Sequence, residues 1–184
     1  MKIYIGSSRI VFVFDKIAFK FPKIAIIKYL KEFFVLFFWE KDSLTRTVKR
    51  YLTRRYLTGS VYSKNHPGLK YYLLNGLVSN WQEFLFWRKY KNIFCEPTYY
   101  SLFGLINIQR VSYPYDKIDR KSFWIKMQET PGYDRDDGHH FSNPKNFGIR
   151  KKQILIVDYG NPITQRVILK YGENITEHFS KILD

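Results

Sequence analysis

Two oxygen-bearing side chains near the end of this sequence flank a pair of β-like runs. Asn146 precedes Phe147–Arg150, and Asp158 follows Ile154–Val157, with Lys151-Lys152 as the turn between the runs. Antiparallel pairing brings the outer ends of such a hairpin together, so both side chains can meet one hard cation. Mg²⁺ suits that pair, because it usually takes one or two protein ligands and fills its shell with phosphate oxygens and water. Gly160 supplies backbone freedom just after Asp158. Asn and Asp at strand ends are also ordinary turn residues, so the spacing alone leaves both readings open.

A second group sits early in the chain. Lys20 closes the run "IAFK", and strand alternation puts Ala18 on the same face. A small residue beside a lysine leaves room for a flat base while the ammonium reaches its phosphates. Glu83, in "NWQEF", is a carboxylate that can pair with Lys20 and hold it toward phosphate. Asn80-x-x-Glu83 is also close to a capping box, in which Glu83 caps its own helix. The run "INIQRVSYP" reads as a strand entering an irregular link that can border a base-binding pocket.

The elements that must position these residues follow from periodicity. "KIYI", "RIVFVF" and "IAFKF" are short β-branched and aromatic runs, parted by Gly6-Ser7-Ser8 and by Asp15-Lys16. "SNWQEFLFWRKYKN" predicts a helix capped by Ser79 or Asn80, with Trp81, Phe84, Leu85 and Trp87 on one side. "YYSLFGLINIQRV" predicts a hairpin turning at Phe103-Gly104, "DKIDRKSFWIKM" a helix, "ETPGYDRDDG" a loop, and the stretch after Gly160 one more helix. Strands, a helix, more strands, then helix, loop and hairpin make this α+β rather than alternating βαβ.

Composition narrows the class. Hydrophobic content of 45% with 19% aromatics is ample for a core and argues against global disorder. A net charge of +15 favours acidic partners: nucleotides, nucleic acid or anionic membrane. Within "RTVKRYLTRRYL", Arg46, Lys49, Arg50, Arg54 and Arg55 are interleaved with Tyr51 and Tyr56. Such a segment can neutralise phosphates while aromatics stack on bases, or simply be a solvated basic face. The lone Cys95 excludes an internal disulfide and reads as a buried thiol in a reducing compartment. "IAIIKYLKEFFVLFFWE", residues 24–40, is interrupted by Lys28, Lys31 and Glu32, short of the ~20 apolar residues of a spanning helix. It reads as a buried or partner-facing helix, with membrane-surface contact as the alternative. The opening residues lack the pattern of a signal peptide, and the expected location is cytoplasmic.

Taken in order, these motifs resemble the protein-kinase-like superfamily. "GSSRIVFVFDKIAFK" is similar to a glycine-loop hairpin leading to the V-A-I-K lysine, and "NWQEFLFW" to the helix carrying its glutamate partner. "HHFSNPKN" resembles H-R-D-L-x-x-x-N, and "VDYG" resembles D-F-G. The resemblance spans roughly residues 3–23 and 77–161. It implies ATP or a related nucleotide bound with Mg²⁺: Gly6, Ser7, Ser8 and Ala18 around the nucleotide, Lys20 on its α/β-phosphates, Glu83 paired with Lys20, and Asn146 and Asp158 on the metal. It further implies an N-terminal lobe over residues 1–110, with an insert at 24–79, and a much reduced helical C-terminal lobe over 111–184. One position departs from the pattern decisively. In register with Asn146, His139 and His140 fall on the motif's His and Arg, and Phe141 on its catalytic Asp. Asp137 and His140 are the nearby candidates for a substitute base. The implied function is a divergent, weak or degenerate phosphotransferase. A basic nucleic-acid-binding or scaffold protein on the same fold is the alternative.

Overall fold

A computed structural model describes residues 1–6, 8–23, 69–115 and 118–183. Ser7, the apolar run 24–40 and the basic segment with Arg46, Lys49, Arg50, Arg54 and Arg55 lie outside the described residues. The fold is mixed α+β, built on antiparallel sheets.

The first sheet has five strands in the order β1-β2-β3-β5-β4. Its strands are β1 (Lys2–Ile5), β2 (Arg9–Phe14), β3 (Ile17–Pro22), β4 (Thr98–Leu102) and β5 (Ile106–Arg110). All pairings are antiparallel, with Val11 opposite Lys20 and Lys20 opposite Asn107. The sheet runs where β-branched and aromatic residues dominate, and turns where the sequence supplies turn residues. Gly6 donates its amide to the Arg9 carbonyl at 2.8 Å between β1 and β2, and Asp15 takes a left-handed φ of 47° between β2 and β3.

Helix α1 (Leu69–Tyr90) packs on β3, β4 and β5. It begins ten residues before the Ser79/Asn80 cap that the sequence suggests, so neither residue is a cap and Glu83 lies well inside the helix. The reason is tertiary. Asn80 is fully buried and donates from Nδ2 to the Lys20 carbonyl at 3.1 Å and the Gly104 carbonyl at 2.9 Å. These bonds tie mid-helix to the sheet and satisfy an amide that would otherwise interrupt a helix. The inward face is therefore Asn80, Glu83 and Phe86, whereas Leu85 of the expected apolar cluster is 45% exposed.

The second half carries most of the hydrophobic core. β6 (Tyr113–Pro114), β7 (Phe147–Arg150) and β8 (Gln153–Ile156) form a three-stranded antiparallel sheet. The β7–β8 turn passes through Lys151 and Lys152, both at positive φ, the backbone that two-residue hairpins favour. Helix α2 (Arg120–Gln128) is capped by Asp119, whose side chain accepts from the Lys121 and Ser122 amides. A short α3 (Gly138–Phe141) and a 3₁₀ turn (Pro144–Asn146) lead into β7. Helix α4 (Pro162–Leu183) is strongly amphipathic and buries Val167, Ile168, Tyr171, Ile175 and Phe179. Phe94, from the link after α1, joins this core, and its carbonyl accepts from the Ile156 amide at 2.8 Å. Cys95 beside it is buried, as expected of a free thiol. Among the described residues no helix is long and apolar enough to cross a membrane.

Candidate functional site

The site forms where β2, β3, α1 and the segment after β8 meet. Lys20 on β3 is 5% exposed, and its ammonium donates to Glu83 Oε2 at 2.8 Å and to the Val157 carbonyl at 2.6 Å. Glu83 thus reaches across to the sheet, and the capping-box reading falls. Ala18, two residues earlier, is buried on the same strand. Burial, with Arg9 nearby, holds the Lys20 pKa below its ordinary value, although Glu83 opposes the shift.

Arg9, the first residue of β2, completes the cluster. Its Nη1 donates to Glu83 Oε1 at 2.6 Å and lies 3.4 Å from Asn80 Oδ1, while its Nη2 pairs with Asp158 Oδ1. One guanidinium therefore bridges two carboxylates from different elements. Burial works against its charge, but Asp158 and Glu83 more than offset that and raise its pKa. Two cations and two carboxylates make a balanced quartet, of the kind buried charge requires.

Asp158 is the open edge of the quartet, with 37% of its side chain exposed. Burial would raise its pKa, but Arg9, Lys20 and His140 outweigh that and hold it at about 2. The Val157 amide donates to the Asn146 carbonyl at 2.8 Å, so the two hairpin ends meet as the spacing implied. The Asn146 side chain, however, donates from Nδ2 to the His140 carbonyl at 3.1 Å. Gly160 is required for close approach. A Cβ there would lie 2.4 Å from the Ser79 carbonyl oxygen, which seats the segment against α1.

Asp137 and His140 also come together. Asp137 Oδ1 lies 2.9 Å from His140 Nδ1, and its other oxygen accepts from the Thr164 hydroxyl. Burial opposes charge on the His140 ring, but Asp137, with Asp158 further off, raises its pKa above the ordinary value. Phe141 is fully buried against Phe94, Tyr133 and Phe147. Gly6 is an exposed turn residue, and the Ser8 carbonyl accepts from the Lys23 amide at 2.7 Å.

Two features escape the sequence reading. Arg9 is hidden as one cation at the head of an apolar strand, and only its place after Gly6-Ser7-Ser8 hints at a role. Glu96 is fully buried between Cys95 and Pro97, with both carboxylate oxygens lacking hydrogen-bond partners and Arg150 Nε at 3.6 Å. Burial raises its pKa, against the pull of Arg150 and Arg110. A surface hollow lined by Ile118, Arg120, Asn143, Pro144 and Lys145 shares no residue with the quartet.

Of the two side chains expected on Mg²⁺, Asp158 is already paired with Arg9 through Oδ1, which weakens its claim on a resident cation, while Asn146 donates from Nδ2 to the His140 carbonyl, a bond that does not engage its Oδ1. Comparisons with family models, with curated proteins and with solved structures found no match.

Proposed function

We propose that this chain is a divergent kinase-like domain that binds ATP or a related nucleotide and transfers phosphate weakly or not at all. The observation that carries the reading is the Lys20–Glu83 pair, 2.8 Å apart across β3 and α1. A lysine so held, beside buried Ala18, has the position and charge to take a nucleotide's phosphates. Its carbonyl contact, Val157, directly precedes Asp158, so the motif at the far end of the sequence meets the motif at its start.

Phosphoryl transfer depends mainly on positioning and charge stabilisation, which Lys20 and Arg9 can supply. The missing part is a base. Phe141 faces the core, and the Asp137 carboxylate is engaged by His140 and Thr164. His140 shares its Nδ1 with the Asp137 carboxylate, so the two substitute candidates are engaged with each other. Losing acid–base help typically costs ~10²–10⁴-fold in rate, hence a weak or degenerate enzyme.

Thermal unfolding with and without ATP tests the reading. ATP at 100 times its dissociation constant should add roughly 2.7 kcal/mol to stability. Lys20→Met should lose most of that gain. No stabilisation of the wild type by ATP, with Mg²⁺ present or chelated, overturns the proposal.

A further inference from the structure

The ion-pair geometry around Asp158 goes beyond nucleotide binding to the question of what neutralises the phosphates. We infer that Arg9 takes the place of a divalent cation, so that this site holds a nucleotide without Mg²⁺. The inference rests on the nucleotide-binding reading for its ligand, but on the ion pairs alone for its chemistry.

Two observations carry it. Arg9 is 7% exposed and pairs with both Glu83 and Asp158, with Asn80 Oδ1 at 3.4 Å as a third neighbour. It is therefore a built part of the site rather than a surface side chain folded inward. Next, the charges are already complete. Arg9 and Lys20 match Glu83 and Asp158 one for one, with Lys20 also bonded to the Val157 carbonyl. A divalent ion on Asp158 would compete with Arg9 for its charge, and displacing Arg9 would leave Glu83 as the shared partner of two buried cations. Desolvated charges without matching partners are costly, so the exchange is unfavourable.

The chemistry of the substitution is ordinary. A guanidinium is permanently charged and presents five N–H donors in a planar fork suited to phosphate oxygens. On β2, directly after the Gly6–Ser8 turn, it stands beside the Lys20 ammonium, with Asp158 at the solvent-open edge. The pair of fixed cations would hold phosphate oxygens directly, and the Asp158–Arg9 contact would orient the guanidinium. No bond is made or broken in this step.

Two measurements on the full chain decide it: ATP titration in Mg²⁺ or in chelator, and Mn²⁺ alone titrated by electron paramagnetic resonance. Wild type should bind ATP with affinities that differ by less than about threefold between the two buffers, and should not take up Mn²⁺. Arg9→Gln should lose roughly tenfold or more in metal-free ATP affinity, as expected for a lost charged hydrogen bond. It should regain affinity with Mg²⁺ and bind Mn²⁺ through the freed Asp158. If Arg9→Gln fails to fold, Arg9→Gln/Glu83→Gln restores the charge balance and carries the same expectations.

Failure of the two readings is distinguishable. No ATP binding by the wild type in either buffer sinks the nucleotide reading, and the Mn²⁺ titration then decides the role of Arg9. Tenfold or greater strengthening of wild-type ATP binding by Mg²⁺ overturns the inference while leaving nucleotide binding intact. So does Mn²⁺ uptake by the wild type, or its absence in the folded variant.

Discussion

Glu83 is fully buried and serves two cations at once, one carboxylate oxygen for Lys20 and the other for Arg9. The backbone amide of Tyr159 adds a third donor at 3.3 Å. Glu83→Gln removes the shared charge and leaves two desolvated cations to Asp158. Breaking a buried pair from one side costs about 3–5 kcal/mol, and urea denaturation should show a loss of that size. Asp158 makes a prediction about pH. Its pKa lies at about 2 in the folded chain, below the ordinary 3.8. A depressed carboxylate contributes stability above its unfolded pKa and loses it as pH falls through the folded value. The urea midpoint should therefore drop between about pH 4 and pH 2, and Asp158→Asn should flatten that limb. The effect will be modest, because over a third of the side chain is open to solvent and screened.

At the scale of elements, α1 packs a polar face on the first sheet, and the aromatic core lies elsewhere. Phe141 belongs to that core, with Phe94, Tyr133 and Phe147 around it. Phe141→Ala should cost about 3–5 kcal/mol in a denaturant melt. It should leave any nucleotide affinity of the folded fraction unchanged, because the ring packs on Phe94, Tyr133 and Phe147 in the aromatic core. A basic element supplies a different test. Arg46, Lys49, Arg50, Arg54 and Arg55 lie outside the described residues, and their spacing with tyrosines suits a nucleic-acid backbone. If those charges are used, log affinity falls linearly with log salt, with a slope of about −0.9 per neutralised phosphate on duplex DNA. Neutralising Arg50, Arg54 and Arg55 together should make the slope shallower in a filter-binding or anisotropy titration. Absence of binding even at low salt removes this reading.

Across the whole molecule, the quartet joins parts of the chain that meet only on folding: Arg9 and Lys20 from the first sheet, Glu83 from α1, and Asp158 from beyond the second sheet. Much of the frame was legible beforehand, because strand and helix periods are local properties of side-chain pattern. The three opening strands, the hairpin at Phe103-Gly104, the β7–β8 turn and a final helix stand where their patterns put them, within a residue or two, while α2 starts at Arg120, inside the stretch that reads as helical, because Asp119 caps it. Lys20 and Glu83 also pair, an encounter that the resemblance implied and that no local period could supply. What sequence could not reveal depended on neighbours distant in the chain. The start of α1 moved to Leu69 because tertiary hydrogen bonds absorb the Asn80 amide that looked like a cap. Gly160 proved to serve close packing on Ser79, and Asn146 turned its amide to His140. Arg9 was invisible as a site residue because one arginine in an apolar strand carries no period. Only the folded chain sets its guanidinium between Glu83 and Asp158, where a fully buried carboxylate and a partly open one face each other and Arg9 is within reach of both.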